Sequence, residues 1–345
     1  MDHFTGKPVH FQPRPTKVVK YSKSGMFTHA SLKNVKAPKS VIISLTEALN
    51  HSLCANTWRS YRTAQNHVDR IKAELGVELR FPFSLEATLT YVGFLLSRGL
   101  SATSVEKYLS AIRMVHLTRG EFAPWLRPEV VRSALTGAAN RDQLRKRLSG
   151  KKGRLPITPE VMRVLLTALK ESNLSRFVKR LVWVSACWCF AGAFRVHEVL
   201  SKEPNTFDPT VTLQEKDVSL TTCMIKGDTF RVVKVHLKHP KEERLSSGVI
   251  MDLFEAKGTA SWMCPVAAYT QWKADKPHKP SPTLPLFRTR SGEGFTGRSL
   301  NAHLKVLLKD EAASQGGTFT SHSFRAGLAT AMSRAGYRDR GLYYA

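Results

Sequence analysis

Acidic side chains are scarce in this chain: 27 Asp and Glu stand against 53 Lys and Arg, leaving a formal net charge of +26 over 345 residues of 42% hydrophobic content. Unneutralised, such an excess destabilises a folded chain by self-repulsion, so it points to a polyanionic partner, nucleic acid first. A merely soluble basic surface is the plainer alternative. Long apolar runs are also missing. The longest, LVWVSACWCFAGAF (Leu181 to Phe194), is too short to span a bilayer and is interrupted by Ser185 and Gly192, so it reads as a buried core helix and no membrane partner is expected. The N-terminus lacks the apolar segment of a secretory signal, which implies an intracellular protein. Cysteine is sparse: Cys54, Cys187, Cys189, Cys223 and Cys264 are odd in number, form no Cys-x-x-Cys pair and have no His at zinc spacing, so reduced thiols and no metal site are expected.

What is present divides the chain. Residues 1–40 carry Lys and Pro with few apolar side chains and read as a disordered basic tail. From 41 to 140 the pattern is helical. In TWRSYRTAQNHVDRIKAELG, Trp58, Tyr61, Ala64, Val68, Ile71 and Leu75 recur at steps of three and four, with Arg59, Arg62 and Arg70 elsewhere on the surface. Ser84 is placed to cap a second helix that Gly99 ends, and Thr103 with Glu106 offers a capping box to a third, which carries Val105, Tyr108, Leu109, Ile112 and Val115 on one side. Residues 141–156, basic and broken by Gly150, Gly153 and Pro156, read as an interdomain linker, able to lie along DNA or to act as a nuclear import signal; a solvated loop is the plain alternative. Residues 157–345 form the second domain. It opens with helices at Pro159–Lys170 and through Phe194, continues with three antiparallel strands in DVSLTTCMI, FRVVKVHLKHP and SGVIMDLF, and returns to a helix with Leu300, Leu304, Val306, Leu307 and Leu308 for burial. The class is mainly α with a small antiparallel β-sheet, in two domains.

His-x-x-Arg occurs three times. HVDR (His67, Arg70) and HLTR (His116, Arg119) read as solvated helix faces. In FTSHSFRAGLATAMSRAGY, by contrast, Thr320 or Ser321 can cap a helix whose first turn then holds His322 and Arg325 on one face, beside free backbone N–H groups and the positive end of the helix dipole. That suits a phosphate oxyanion. Ala326, Gly327, Ala329 and Ala331 allow close packing on a neighbouring helix. The plain alternative pairs Arg325 with an acid. Arg195, in CFAGAFRVHEVLS, follows an apolar helix and needs an anion, which is either Glu198 three residues on or a bound phosphate toward which Glu198 orients the guanidinium.

The runs AFRVHEVLS and HSFR, with a lysine in the intervening β-hairpin, resemble the tyrosine recombinase (phage integrase) family over nearly the whole chain. TWRSYRTAQNHV, SATSVEKYLSAIRMVHLTRG and GRLPITPEVMRVLL look closest to recombinases of eukaryotic mobile elements, DIRS-like or Crypton-like. The resemblance implies a helical core-binding (SAM-like) domain over 41–140 and an α+β catalytic domain over 157–345. The implied activity is site-specific recombination: strands of duplex DNA are broken and rejoined through a 3′-phosphotyrosine, by a homo-tetramer, without metal, cofactor or small-molecule substrate. The implied location is the nucleus if the source is eukaryotic, otherwise the cytoplasm.

By the same resemblance Arg195 and Arg325 neutralise the phosphate as charge builds, a task for which a fixed fork of donors suits better than lysine. His322 bonds that phosphate or assists proton transfer, and Lys241, with Lys238 second, protonates the leaving 5′-oxygen. Arg59, Arg62, Lys107, Arg113, Arg145, Arg147, Lys151 and Lys152 are the expected DNA contacts. The family's nucleophilic tyrosine follows the second arginine by roughly thirty residues. This sequence stops at Ala345, so a chain truncated before the nucleophile helix is expected, with Tyr344 or Tyr343 as nucleophile on reach alone. An inactive DNA-binding relic is the alternative function. A type IB topoisomerase shares the phosphate chemistry, but the first domain argues against it.

Overall fold

Trp58, Ala64 and Ile71, spaced by six and seven residues, are fully buried on one helix, which sets the pattern of the first part of the chain. The computed structural model describes residues 32, 36–53, 55–121, 128–150, 153–238, 248–277, 281 and 284–337. It divides into two units, Met1–Lys151 and Lys152–Ala345. Most of the tail expected over 1–40 lies outside the described residues.

Unit 1 contains α1 (Lys39–His51), α2 (Ala55–Leu75), α3 (Leu85–Ser97), α4 (Ala102–Thr118) and α5 (Glu129–Leu148). Ser84 caps α3, its hydroxyl accepting from Ala87 N–H at 3.1 Å, and Gly99 (φ 77°) turns the chain after it. The Tyr91 hydroxyl donates to Ala64 O (3.0 Å), joining α3 to α2 inside a core that includes Phe83, Leu95, Leu109 and Ile112. Three expectations change here. Ser101, not the Thr103–Glu106 box, caps α4, because its backbone is extended while Thr103 is already helical. Leu75 is 54% exposed, as the last residue of α2 before Gly76 (φ 67°) redirects the chain. The stretch expected as linker from 141 is helical to Leu148, since α5 meets no proline and its Gln, Leu, Arg and Lys are strong helix formers.

Unit 2 contains β1 (Gly153–Arg154), α6 (Pro159–Glu171), α7 (Arg176–Ala191), α8 (Val196–Val199), β2 (Val218–Ile225), β3 (Asp228–Leu237), β4 (Val249–Phe254), α9 (Pro265–Asp275), α10 (Gly297–Leu307), α11 (Lys309–Ser314), β5 (Gly317–Thr318) and α12 (Ser323–Arg334). The run expected as a buried helix through Phe194 forms α7 only as far as Ala191, because Gly192 caps it and Ala193 turns left-handed. Its Trp188 is fully buried, donates to Pro265 O (3.3 Å) and packs on Tyr269 and Phe287. The sheet runs β2-β3-β4, antiparallel throughout. A two-residue turn, Lys226–Gly227, joins β2 to β3 with φ positive at both positions (50° and 87°), the geometry that matches strand twist. Val233, Val235 and Leu237 alternate inward and bury one face of β3 with Leu253. The helix expected through 297–314 breaks at Leu308 into α10 and α11, and Val306, expected in the core, is 74% exposed while Leu300, Leu304 and Leu308 take the interior.

Candidate active site

Two segments far apart in sequence build the site. The first is the turn after α7. Gly192 has no room for a side chain, since a Cβ there would meet the Phe194 ring at 2.4 Å, and Ala193 takes a left-handed conformation at φ 47°. Phe194 is buried, and Arg195 becomes the N-cap residue of α8. The Glu198 carboxylate accepts from Arg195 twice, from its backbone N–H at 2.7 Å and from its guanidinium Nη1 at 3.1 Å. With 28% of the Arg195 side chain and 14% of the Glu198 side chain exposed, this ion pair is fixed at both ends and half-buried.

The second segment is α12 with the strand before it. β1 pairs in parallel with β5 (Gly153↔Gly317, Arg154↔Thr318), and the contact continues as Leu155 N–H donates to Thr318 O and Ile157 N–H to Ser323 O, both at 2.9 Å. Gly327 sits on the segment that follows β1: a Cβ there would lie 1.8 Å from Ile157 O. The small residue thus packs α12 onto the backbone at Ile157, not only onto a helix.

The cap differs from expectation. His322 is itself the N-cap residue, without a side-chain capping bond. Ser321 is buried with its N–H bonded to Asn301 Oδ1 (2.6 Å), and Thr320 N–H donates to the Ser323 hydroxyl (3.0 Å). These bonds close the turn one residue later than the sequence suggests. His322 and Arg325 are exposed and remain three residues apart across the helix start.

Arg325 Nη1 donates to Ala193 O at 3.4 Å. That bond brings the α12 arginine to the turn that carries Arg195, two residues on. A further imidazole stands here that sequence reasoning left out: His197 of α8, whose ring Cε1 would be 3.4 Å from a Cβ on Gly297. Burial, then the charges of Lys202 and His322, push its pKa below the ordinary value for histidine. Its place in AFRVHEVLS, two residues after Arg195, was the available signal.

Lys241, Tyr343 and Tyr344 lie outside the described residues. Lys238 is described and is held by the fold: its ammonium pairs with Asp217 (2.7 Å) and donates to Gln214 Oε1 and Pro209 O, both at 2.7 Å. In unit 1, Arg59 and Arg62 on α2, Lys107 and Arg113 on α4, and Arg145 and Arg147 on α5 are all exposed, whereas Lys151 and Lys152 lie outside the described residues.

In the two other His-x-x-Arg pairs Arg70 and Arg119 are exposed, as expected of a solvated face, but the histidines are packed into the unit. His116 is fully buried; its Nε2 accepts from Phe83 N–H (2.9 Å), so Nδ1 carries the proton donated to Ile112 O (2.8 Å). Arg119 lies over the Phe81 ring at 4.1 Å. His67 packs edge-on to Tyr108 with centroids 4.9 Å apart, and burial, then Arg70, lower its pKa.

No family model and no curated protein sequence matches the chain. Solved structures do. The integrase of transposon Tn1549, in complex with transposon right end DNA, covers 86% of this chain and 88% of its own at 13% identity with a TM-score of 0.53. XerH site-specific recombinase bound to palindromic difH substrate covers 89% and 77% at 11% identity with a TM-score of 0.52. The fold is that of the tyrosine recombinases. The likeness to these recombinases extends over both units, and at such identities it is a likeness of fold. Among the described residues, no helix of this recombinase fold is long and apolar enough to cross a membrane.

Proposed function

We propose that the chain binds duplex DNA and, where the nucleophilic tyrosine is present, breaks and rejoins its strands through a 3′-phosphotyrosine, as a site-specific recombinase. The observation that carries this reading is the hydrogen bond from Arg325 to Ala193 O, two residues before Arg195 in the chain. Two guanidiniums held by the fold offer directed donors to the non-bridging oxygens of a phosphodiester, and such donors count most when charge builds in the pentacoordinate transition state. In this reading Glu198 orients Arg195, His322 and the N–H groups of the first turn of α12 meet the same phosphate, and Lys241 supplies the proton to the leaving 5′-oxygen. The exposed cations of α2, α4 and α5 take up backbone phosphates, assembly on DNA is tetrameric, and the TWRSYRTAQNHV, SATSVEKYLSAIRMVHLTRG and GRLPITPEVMRVLL runs favour an origin in a DIRS-like or Crypton-like element acting in the nucleus.

The test uses a nicked suicide duplex and a denaturing gel. In a protein extended to carry the nucleophilic tyrosine, a covalent protein–DNA band, abolished by Arg195→Ala and by Arg325→Ala while duplex affinity changes less than about threefold, is the expected result, and mapping the adduct names the tyrosine; a band from the 345-residue chain itself assigns the nucleophile within it. Salt-sensitive duplex binding without a band reduces the reading to a DNA-binding relic. Affinity indifferent to salt overturns both.

A further inference from the structure

A second concave surface of unit 2 takes no part in the arrangement around Arg195. Leu166 and Leu169 of α6, Trp183 of α7, Trp262 of the 3-10 turn at Gly258–Met263, and Ala267 and Ala268 of α9 line an open groove of about 270 Å³. Trp183 and Trp262 stack with centroids 6.3 Å apart and planes 29° from parallel, and both remain partly exposed. The Arg163 guanidinium lies 4.7 Å over the Trp262 ring.

The rim is cationic. Arg176 and Arg180 share one carboxylate, Asp275, at 2.9 and 2.7 Å. Lys179 donates to Lys170 O (2.8 Å), and neither lysine has a carboxylate within ion-pair distance among the described residues. An apolar floor with partly exposed tryptophans and unneutralised cations along its edge is a surface whose complement carries an apolar anchor between acids.

Charge decides the occupant. Residues 1–31 carry Asp2 as their sole acid, 338–345 set Asp339 between Arg338 and Arg340, and 239–247 balance Glu242 and Glu243 with Lys241 and Arg244. None of these segments complements the rim, and a second copy brings the same +26. A space of about 270 Å³ admits a few side chains and no duplex. We infer that the groove docks an acidic, amphipathic segment of a partner protein: one bulky apolar side chain seats on the Trp183–Trp262 pair, and flanking Asp or Glu pair with Lys170 and Lys179. This inference is independent of the strand-breaking reading.

The experiment measures fluorescence anisotropy of two labelled synthetic peptides of equal negative charge with the full-length chain at moderate salt. One peptide carries Phe and Leu four residues apart among Asp and Glu; the other carries Ser at those positions. The anchored peptide is expected to bind at least about tenfold tighter, Trp262→Ala to erase that difference, Trp262→Phe to keep most of it, and Lys170→Glu with Lys179→Glu to weaken binding about tenfold. The two lysines are on the surface, so their variant keeps the groove test readable if Trp262→Ala fails to fold. Equal binding of both peptides, or indifference to all these substitutions, overturns the proposal. Displacement of the peptide by a short duplex, equally from wild type and Trp262→Ala, overturns it in favour of DNA. Self-association of the chain that Trp262→Ala abolishes overturns it in favour of a second copy.

Discussion

Replacing Gly327 by alanine tests how the site is seated. The new Cβ would lie 1.8 Å from Ile157 O and 2.4 Å from its carbonyl carbon. These are backbone atoms held by the Ile157 N–H bond to Ser323 O, so no side chain can swing away. Ordinary contact starts near 3.4 Å, and α12 must therefore retreat by about 1.6 Å or β1 must separate from β5. Overpacking of this kind costs about 1–3 kcal/mol, against which alanine recovers up to about 1 kcal/mol of helix propensity. Because the obstacle is backbone, the upper part of that range, about 2–3 kcal/mol, applies, and the net loss of about 1–2 kcal/mol lowers the melting temperature of a unit this size by roughly 2–8 °C. A shift of that size in Arg325 and His322 should also reduce covalent adduct formation on the order of a hundredfold. Thermal unfolding followed by circular dichroism reads the first effect and the suicide-substrate gel the second. Ala326→Gly, at the exposed neighbouring position, should cost only about 1 kcal/mol of propensity and leave the site in place. A Gly327→Ala protein as stable as wild type, with unchanged adduct yield, would refute the reasoning.

Lys238→Ala should destabilise unit 2 by about 3–5 kcal/mol, because it strands the buried Asp217 carboxylate, whereas Lys241→Ala should leave the urea midpoint unchanged and slow only adduct formation. Stability should fall as pH drops below about 6.5: burial depresses the pKa of His116, foremost, so the unfolded chain takes up a proton that the folded one resists, and the contribution is intact above that pH. His67, His197 and His303 are shifted in the same direction. Melting curves across pH 5 to 8 should therefore slope downward to acid, less steeply in His116→Gln, and a flat profile would contradict the buried neutral imidazole.

Sequence periodicity carried most of the fold because long amphipathic elements average over many residues. Trp58, Ala64 and Ile71 announce α2, and alternation in β3 announces the sheet. His116 shows what such a reading can overlook. Val105, Leu109, Ile112 and His116 follow at steps of four, three and four, so spacing alone put the imidazole on the buried stripe, and the polarity of the residue concealed it. Both arginines of the candidate site stand out in the sequence by their helical contexts. The bond from Arg325 to Ala193 O does not, since it depends on a left-handed backbone at Ala193, where no glycine marks the position, and on a carbonyl oxygen, a group every residue has. The pairing of β1 with β5 was invisible for a different reason: two residues are too few to show a period. The boundary of α5 was missed because the same Arg and Lys that suit a phosphate-lined linker are good helix formers.

The chain enters unit 2 through β1, and the first backbone partners it finds there are β5 and α12. Because those strands run parallel, traction on the polypeptide at residue 152 loads their hydrogen bonds in shear, together, and does not peel them one at a time. The bonds from Leu155 to Thr318 and from Ile157 to Ser323 then act as a short tether whose far end is the helix start bearing His322. Slack or tension in the connecting peptide is thereby delivered to the His322 end of α12 before it reaches the core, and the placing of His322 and Arg325 becomes a mechanical variable.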